Sequence, residues 1–530
     1  MASRTSYLIK NGTIIDGTGQ KGFEGDILID DDKIKEIGGI EENGDYKIIE
    51  AKNKIVAPGF IDVNNHSDSY WTLFQYPGGE SLLTQGIATI VGGNCGSSIA
   101  PIVNEEAIES IQKYVDLKKV QVQWGSFEEF VEFMQERKLA FNFGSLVGHA
   151  TIRRAFTKGE VRQLTKTEIK KLNYILDLSM KQGALGLSTG LVYSHAKIAS
   201  REEIASLAKT VKANNGVYTT HLREEGENLI PSIREALSIA ETTGVSLQIS
   251  HLKACGEKSW PLQERVLEMI EETKAKGFDV GFDVYPYTEI GPVLYTLLPA
   301  WVVEGGKEIL MQRLKDPAIR YKIIKEMTEM DFDYGEVIIA TSKIDYALAR
   351  YKVSQIAEHQ ERKNEEVILD LILCCDDTIT VVLEALSSKN VEKLIAHDLS
   401  IVSSNGAGYS VEHEKTGDLV HPRCFGALPR FLKNFVFDGG TLSPEKAIQK
   451  ITQKPAEKFG FIKETGTLEK AKTADVVIFD PKTIEDRSRI MKPYHYSSGI
   501  TELFINGKLV ILEGRLDNVK AGKMMPKSTE

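Results

Sequence analysis

Short apolar runs alternate with longer, charged segments through the central part of the chain. Because the strands of a parallel sheet are buried on both faces and are joined by helices, this alternation is typical of a parallel barrel. Apolar residues at three- and four-residue spacing predict amphipathic helices over 165–182, 201–214, 229–242 and 261–276. The eight predicted strands are 55–63, 87–95, 143–149, 184–190, 217–222, 247–252, 280–287 and 399–405. We therefore predict the α/β class and a (β/α)8 barrel of the TIM type.

The two ends of the chain have a different pattern, in which apolar and polar residues alternate around Asn-Gly and Asp-Gly turns. This pattern is typical of short antiparallel strands. It is present in residues 1–56 and returns in residues 466–530. We therefore expect both ends to form one small β-sandwich beside a barrel at 57–465.

The connection between the seventh and eighth predicted strands is longer than the others. Roughly a hundred residues separate Tyr287 from Leu399, far more than an ordinary loop needs. The segment 290–345 contains both helical and strand-like runs, which predicts a small inserted α+β subdomain. By its position between two barrel strands, we expect this subdomain to overhang the mouth of the barrel.

Composition and charge exclude several classes of function. The chain has 530 residues, is 42% hydrophobic and carries a net charge of −10 that is spread along the sequence, so nucleic acid and anionic membranes are not expected partners. No apolar run reaches the roughly 18 residues of a membrane span, and the first residues lack the apolar core of a signal peptide, which predicts a cytoplasmic protein. The five cysteines are irregularly spaced, so we expect free thiols.

Polar residues follow the ends of the predicted strands, where barrel active sites collect. These residues are Asn64, His66, Asp68, Cys95, His149, His221, His251 and Asn405. Cys95, His221 and His251 belong to strands two, five and six, and their sulfur and nitrogen donors suit zinc. A single buried cysteine is more often an inert core residue, and a single strand-end histidine is more often a packed core group. The metal site is therefore predicted from the set of three.

Nine motifs run along the barrel in the order PGFIDVNNHSD, GGNCGSS, GHATIR, GALGLSTGLVY, THLREEG, ISHLK, DVYPYT, SSNGAGY and HPRCFG. In this order and spacing they resemble the N-acyl-D-amino-acid deacylases, or D-aminoacylases, of the amidohydrolase superfamily. The resemblance extends to IKNGTIIDG and GTLEKAKTADVVIFDP at the two ends, which form the β-sandwich in that superfamily. It implies a hydrolase of non-peptide C–N bonds that acts on small N-acyl amino acids.

The resemblance implies a zinc site and a substrate pocket. Cys95, His221 and His251 would hold one zinc per chain, with His66 as a further candidate ligand. The residues implied to line the pocket are Lys253, Tyr193, Tyr285 or Tyr287, His149 and Arg423. Tyr193 and Lys253 would stabilise the developing oxyanion. Arg423 would pair with the substrate carboxylate, because a planar guanidinium makes two parallel bonds to it.

Two positions depart from the family's pattern. The superfamily's first strand ends in His-x-His, but here the residues are Asn64, Asn65 and His66. Since an amide is a feeble zinc ligand, we expect a mononuclear centre. The superfamily's catalytic aspartate after strand eight is Asn405 in this chain. A carboxamide cannot accept a proton from the attacking water at neutral pH, and a positioned general base contributes ~10²–10⁴-fold to the rate.

Three explanations for Asn405 stay open. In the first, the chain is a laboratory variant. In the second, it belongs to a natural subgroup that uses another base, such as Asp68 or His149. In the third, it is a relative that binds a ligand without hydrolysing it. We expect an amide hydrolase of N-acyl amino acids, with a catalytically impaired or ligand-binding relative as the alternative. A cyclic-amide hydrolase is disfavoured, because strand four has no lysine to bridge two metals.

Overall fold

The structure, a computed structural model, describes residues 6–42, 44–341, 348–375 and 378–527. In chain order, its strands are β1 (Ser6–Ile14), β2 (Phe23–Asp30), β3 (Lys33–Gly38), β4 (Lys47–Glu50), β5 (Ile55–Pro58), β6 (Phe60–Asp62), β7 (Ile87–Gly92), β8 (Asn142–Ser145), β9 (Val147–Gly148), β10 (Gly186–Gly190), β11 (Val217–His221), β12 (Ser246–Ile249), β13 (Val280–Val284), β14 (Glu289–Ile290), β15 (Ile338–Thr341), β16 (Thr380–Glu384), β17 (Ser400–Val402), β18 (Val476–Phe479), β19 (Ile500–Ile505), β20 (Lys508–Leu512) and β21 (Arg515–Leu516).

The α-helices are α1 (Thr72–Gln75), α2 (Glu80–Leu83), α3 (Phe127–Arg137), α4 (His149–Thr157), α5 (Lys166–Lys181), α6 (Ser194–Lys197), α7 (Arg201–Ala213), α8 (Leu229–Thr243), α9 (Leu262–Ala275), α10 (Ala300–Val303), α11 (Lys307–Lys315), α12 (Pro317–Met327), α13 (Val353–Gln360), α14 (Asn364–Cys374), α15 (Ser388–Ala396), α16 (Arg423–Leu432), α17 (Pro444–Ile451) and α18 (Gln453–Phe459). Short 3₁₀ helices lie at Glu105–Ile111, Leu117–Lys119, Glu257–Ser259, Leu294–Leu297, Tyr334–Glu336 and Val411–Thr416, and a π-helix lies at Lys433–Phe437. No helix in the described ranges is long and apolar enough to cross a membrane.

Parallel strands form the predicted barrel. Strand β7 pairs with β6 and β8, and the chain of β8 continues into β9, which pairs with β10. Strands β10, β11, β12, β13 and β17 then pair in that order. A parallel bridge between Asn65 and Gly406 joins the ends of β6 and β17 and closes the circle. The predicted (β/α)8 fold class is thus confirmed.

The helices outside the barrel begin and end close to their predicted bounds. The four helices predicted from apolar spacing are α5, α7, α8 and α9, and each bound lies within one residue of its prediction. Helix α5 begins after Thr165, whose hydroxyl accepts the Glu168 amide in a capping box. In α7 the buried face includes Ile204, Leu207 and Val211, at the spacing that an amphipathic helix requires.

Both ends of the chain share one nine-stranded sheet. Strand β5 pairs parallel with β1 and antiparallel with β18, and this joins the N-terminal strands to the C-terminal ones. The predicted first barrel strand, 55–63, is therefore two strands, because Ile55–Pro58 belongs to the terminal sheet and only Phe60–Asp62 belongs to the barrel. The terminal sheet extends two residues beyond the predicted boundary at 56.

The insertion is larger than predicted. It consists of an antiparallel sheet in the order β14-β16-β15 together with helices α10 to α14, so it runs from 289 to 384 rather than 290–345. Residues 342–345 of the predicted segment lie outside the described residues. The central strand of this sheet, β16, comes last in the chain. Sequence spacing alone does not show that such a distant strand returns to the sheet.

A buried hydrogen-bond network joins the barrel to the terminal sheet. The Asp475 carboxylate accepts hydrogen bonds from the Asn142 side chain (3.1 Å), the Thr465 hydroxyl (3.2 Å) and the Asn506 amide (2.7 Å). The Asn506 side chain in turn donates to Asn142 Oδ1 at 2.7 Å. Since Asn142 begins barrel strand β8, Asp475 connects the two sheets through buried polar groups.

We expect Asp475→Ala to lower the free energy of unfolding by about 2–5 kcal/mol, because it leaves three buried donors without an acceptor. Denaturant titration followed by circular dichroism measures this change. The control is Asp45→Ala, at an exposed aspartate. A loss at Asp475 no larger than the control's would contradict this role.

Candidate metal centre and substrate cavity

Three ligand-type side chains meet at the carboxyl ends of the barrel strands. Cys95 follows β7, His221 ends β11 and His251 follows β12. One ligand atom from each lies within 4.8 Å of the others, and Cys95 Sγ is 3.4 Å from His251 Nε2. The three residues predicted from the strand ends are therefore brought together as one cluster.

The backbone at this cluster is held in an unusual conformation. Cys95, His251 and Asn405 all have positive φ values, of 51°, 37° and 48°. Left-handed backbone is disfavoured for residues with a Cβ, and such strain concentrates at functional sites. Close packing at the cluster also requires glycine, since a Cβ on Gly190 would collide with the carbonyl oxygen of Cys95. The tertiary contacts thus impose the turn that directs the thiol inwards.

The protonation of the cluster suits a divalent metal. Burial raises the pKa of the Cys95 thiol to about 12, so a neighbouring cation is needed to hold the thiolate at neutral pH. Burial also holds the pKa of His251 well below its ordinary value, and the ring is neutral. Both ring nitrogens of His221 are buried without a hydrogen-bond partner. A soft thiolate and two imidazoles form a zinc-type donor set.

Glu225 supports this cluster, although the motif pattern assigned it no role. Its Oε1 accepts from Lys253 Nζ at 2.6 Å and lies 3.3 Å from His251 Nδ1. Its Oε2 lies 3.4 Å from His221 Nε2, close enough for charge attraction but outside hydrogen-bond geometry. Although burial opposes ionisation, Lys253 and the two imidazoles hold the pKa of Glu225 well below its usual range. The only sequence signal was its place in THLREEG, four residues after His221.

Asn64 does not face the cluster as a ligand. Its Nδ2 donates to Asp283 Oδ1 at 3.0 Å. The same oxygen accepts the His251 amide at 3.0 Å and the Ser403 hydroxyl at 2.9 Å. Burial raises the pKa of Asp283 to about 6. The carboxamide at position 64 therefore helps to hold the carboxylate that positions the His251 backbone.

His66 is paired with Asn405. Its Nε2 lies 2.9 Å from Asn405 Oδ1, which can only accept, so the proton is on Nε2. Burial lowers the pKa of His66 to about 3, and the ring is neutral. Its Nδ1 is buried without a partner. In this arrangement neither Asn405 nor His66 Nε2 is able to take up a proton.

The two residues considered as replacement bases are tied to other groups. His149 begins α4, and its Nε2 lies 2.8 Å from Glu203 Oε1, which also accepts from Arg153. Asp68 is fully buried, and its Oδ2 accepts the Gly93 amide at 2.7 Å while its Oδ1 has no hydrogen-bond partner among the described residues. Burial raises the pKa of Asp68 to about 7.

The predicted pocket tyrosines differ in their surroundings. Tyr193 contacts His221 edge to face, at 5.6 Å between ring centroids, and its hydroxyl is 2.7 Å from that of Tyr114. The Tyr285 ring lies 4.9 Å below the guanidinium of Arg423. Tyr287 instead donates to Asp486 at 2.9 Å. Of the two alternatives at the seventh strand, Tyr285 is the one beside Arg423.

A cavity of about 480 Å³ opens at the mouth of the barrel, and we call it the mouth cavity. Barrel loops contribute Tyr70, Asn405 and Arg423 to its lining. Strands β15 and β16 of the insertion contribute Thr341 and Val381, so the insertion forms one wall. The sequence motifs missed two further lining residues, Lys113 and Tyr114, because they lie in an irregular segment without a family motif.

Comparison with known proteins finds similarity along almost the whole chain. The amidohydrolase family model matches residues 376–510. A D-aminoacylase from Alcaligenes xylosoxydans xylosoxydans is 26% identical over 98% of this chain and 97% of its own. An N-acyl-D-aspartate deacylase from the same organism is 28% identical over 96% of this chain and 92% of its own.

Solved structures give the same relationship. A D-aminoacylase studied for its binuclear metal centre superposes with a TM-score of 0.83 at 26% identity, covering 98% of this chain and 99% of its own. An N-acyl-D-glutamate deacylase from Bordetella bronchiseptica, complexed with zinc and a phosphonate inhibitor, gives 0.82 at 26% identity, covering 99% and 100%. The resemblance inferred from the motifs is confirmed, and the chain is similar to D-aminoacylases along its whole length.

We expect Cys95→Ser to lose bound zinc, because a serine hydroxyl stays protonated and is a poor ligand for this metal. Elemental analysis of protein purified without added metal should fall from about one zinc per chain to a small fraction of that. Cys374→Ser, at an exposed thiol, is the control and should keep the metal. Full zinc content in Cys95→Ser would rule out the thiolate site.

Proposed function

We propose that the protein is a metal-dependent amidohydrolase that cleaves the amide bond of N-acyl amino acids. The observation that carries this proposal is the cluster of Cys95, His221 and His251, which the contact between Tyr193 and Tyr114 connects to the cavity that Arg423 lines. The relatives named for deacylation of D-amino acids match this chain from end to end, which supports the same reaction class.

The chain's own residues suit one zinc, held by Cys95, His221 and His251. When bound, such a metal supplies Lewis acidity, which lowers the pKa of water toward ~7 and polarises an amide carbonyl. The described residues contain no other such cluster of three ligand atoms, and His66 is engaged with Asn405. We therefore propose a mononuclear centre.

Arg423 would orient the substrate. Its side chain is buried at the start of α16, and it makes no ion pair with a carboxylate in the part of the chain that the structure describes. A planar guanidinium offers a carboxylate two parallel hydrogen bonds, so the free carboxyl group of an N-acyl amino acid fits this position.

Lys253 and Tyr193 would stabilise the negative charge that develops on the amide oxygen. Lys253 keeps its proton, because Glu225 raises the pKa of the ammonium although burial opposes it. The Tyr193 hydroxyl also stays protonated, since burial raises its pKa well above the usual value. Since Lys253 Nζ already contacts Glu225 Oε1, His251 Nδ1 and the His251 carbonyl, it would act through its charge, and the Tyr193 hydroxyl would act as the hydrogen-bond donor.

A second candidate function is supported by Asn405. Because its carboxamide is bonded to His66 and cannot take a proton, the site lacks the base that hydrolysis by this route needs. A relative that binds N-acyl amino acids with little or no turnover would have the same cavity. A cyclic-amide hydrolase is disfavoured, because strand β10 has the sequence GLSTG and contains no lysine.

We expect Asn405→Asp to raise the rate of amide cleavage by ~10²–10⁴-fold, since it restores a proton acceptor beside His66. The rate is measured as amino acid released from a panel of N-acetyl-D- and L-amino acids by zinc-loaded protein. Asn434→Asp, at an exposed position, is the control. Mass spectrometry of Asn405 excludes prior deamidation before Gly406. The absence of a gain would favour a ligand-binding protein or another chemistry.

Arg423→Gln should weaken recognition of the substrate carboxylate. We expect the preference for an N-acetyl amino acid over its carboxamide, measured as a ratio of kcat/KM, to fall by ~10–100-fold, because two charge-assisted hydrogen bonds are lost. Arg430→Gln, in the same helix, is the control, since that guanidinium lies over Tyr287 instead. An unchanged ratio in Arg423→Gln would remove Arg423 from the proposed binding site.

A further inference from the structure

The mouth cavity contains two buried cations and no buried anion. Lys113 and Arg423 are 7% and 6% exposed. The two carboxylates among the described lining residues, Asp116 and Asp418, are both partly exposed. His421 is buried, but burial holds its pKa well below the usual value and the ring is neutral. The buried part of the lining therefore has a net positive charge.

Lys113 has no carboxylate partner among the described residues. Its Nζ donates to Ser97 Oγ at 2.8 Å and to the Ser110 carbonyl at 3.0 Å. An ammonium has three N–H donors, so one remains after these two neutral acceptors. The ammonium also lies over the rings of Tyr114 and Tyr193, 4.6 and 4.3 Å from their centroids. The surroundings therefore hold the amine in place without supplying a negative charge to pair with it.

Arg423 is uncompensated in a similar way. Its guanidinium lies over the Tyr285 ring, and its Nε is buried without a hydrogen-bond partner. Arg423, Lys113 and Asn405 all line the mouth cavity. The two cations therefore border the same space.

Lys253 provides the contrast within the same barrel. It is equally buried, but Glu225 lies 2.6 Å from its Nζ. Buried charges are usually paired in this manner, because an isolated charge loses its hydration without a compensating partner. In agreement with this cost, burial lowers the pKa of Lys113 to about 7. An anionic ligand beside Lys113 would restore the missing partner.

We propose that the ligand of the mouth cavity carries two carboxylate groups, one bound by Arg423 and the second by the ammonium of Lys113. This inference rests on the proposed function where it concerns cleavage of the ligand. Binding of the two carboxylates is tested separately. The second carboxylate belongs either to the side chain of an acidic amino acid or to a dicarboxylic acyl group. Both present the same chemistry to Lys113.

A second cavity, of about 450 Å³, also borders Lys113 but is a weaker site for this carboxylate. Its lining includes Glu109, Glu160 and Glu308 beside its basic residues, and Glu109 pairs with Arg154 at 3.1 Å. The other buried cation of that cavity, Arg154, therefore already has a carboxylate partner. In the mouth cavity the other buried cation, Arg423, makes no ion pair with a described carboxylate, so the mouth cavity is the better position for a ligand with two carboxylates.

The test compares two probes of nearly equal size, glutarate and its monoamide glutaramate, by calorimetry on the zinc-loaded protein. We expect the wild-type protein to bind glutarate at least ~10-fold more tightly, since a charge-assisted hydrogen bond is gained. In Lys113→Met the preference should disappear. Lys119→Met removes an exposed lysine from the rim of the same cavity and should keep the preference.

Equal binding of both probes by the wild-type protein would overturn the proposal even if Lys113→Met does not fold. A preference that survives in a folded Lys113→Met protein would also overturn it. Loss of the preference in Lys119→Met as well would assign the effect to the general positive charge of the rim, which contradicts a specific site at Lys113.

Substrate pairs then locate the second carboxylate. N-acetylglutamate against N-acetylglutamine tests the amino-acid side chain, and N-succinylalanine against N-butyrylalanine tests the acyl group, each in D and L forms. A higher kcat/KM for the charged member of either pair supports the proposal and identifies the source. Dicarboxylate binding without cleavage of any substrate would retain the Lys113 site and reject the hydrolase. Cleavage of neutral substrates without any preference for the charged member would retain the hydrolase and reject the Lys113 site.

Discussion

The carboxylate of Asp283 joins the ends of neighbouring barrel strands, and the site depends on this contact. One oxygen accepts the amide of His251, the side chain of Asn64 and the hydroxyl of Ser403. These partners follow β12, β6 and β17, while Asp283 lies on β13. The left-handed turn at His251 is therefore held by a buried hydrogen bond, and its imidazole is directed toward Cys95.

The distribution of charge around the mouth follows from burial. Glu225 compensates Lys253 and lies beside both histidines of the cluster, so that part of the site needs no ligand to balance its charge. Lys113 and Arg423 have no such carboxylate. An unpaired buried charge is costly. We therefore expect negatively charged groups of a substrate to pair with these two residues.

Asn64 and Asn405 differ in what their carboxamides replace. At position 64, where the family pattern has an imidazole, the amide donates a hydrogen bond to Asp283. At position 405 the amide oxygen accepts a hydrogen bond from His66 Nε2, and the pair is neutral. Asn64 therefore holds a carboxylate at the strand ends. Asn405 offers no proton acceptor to the mouth, which is the basis of the second candidate function.

Local patterns in the sequence determined the barrel strands, the bounds of helices such as α5 and α7, and the donor types of Cys95, His221 and His251. These features depend on the residues within one or two turns or on the carboxyl end of a strand, so spacing and residue type are sufficient. Tertiary structure decided the split of residues 55–63 between two sheets and the place of β16 in the insertion, because distant segments supply the pairing partners. It also decided that Glu225 supports the cluster and that Lys113 is left without a carboxylate. The charged groups around a buried side chain come from distant parts of the sequence. A local sequence pattern therefore cannot show whether that side chain has a partner.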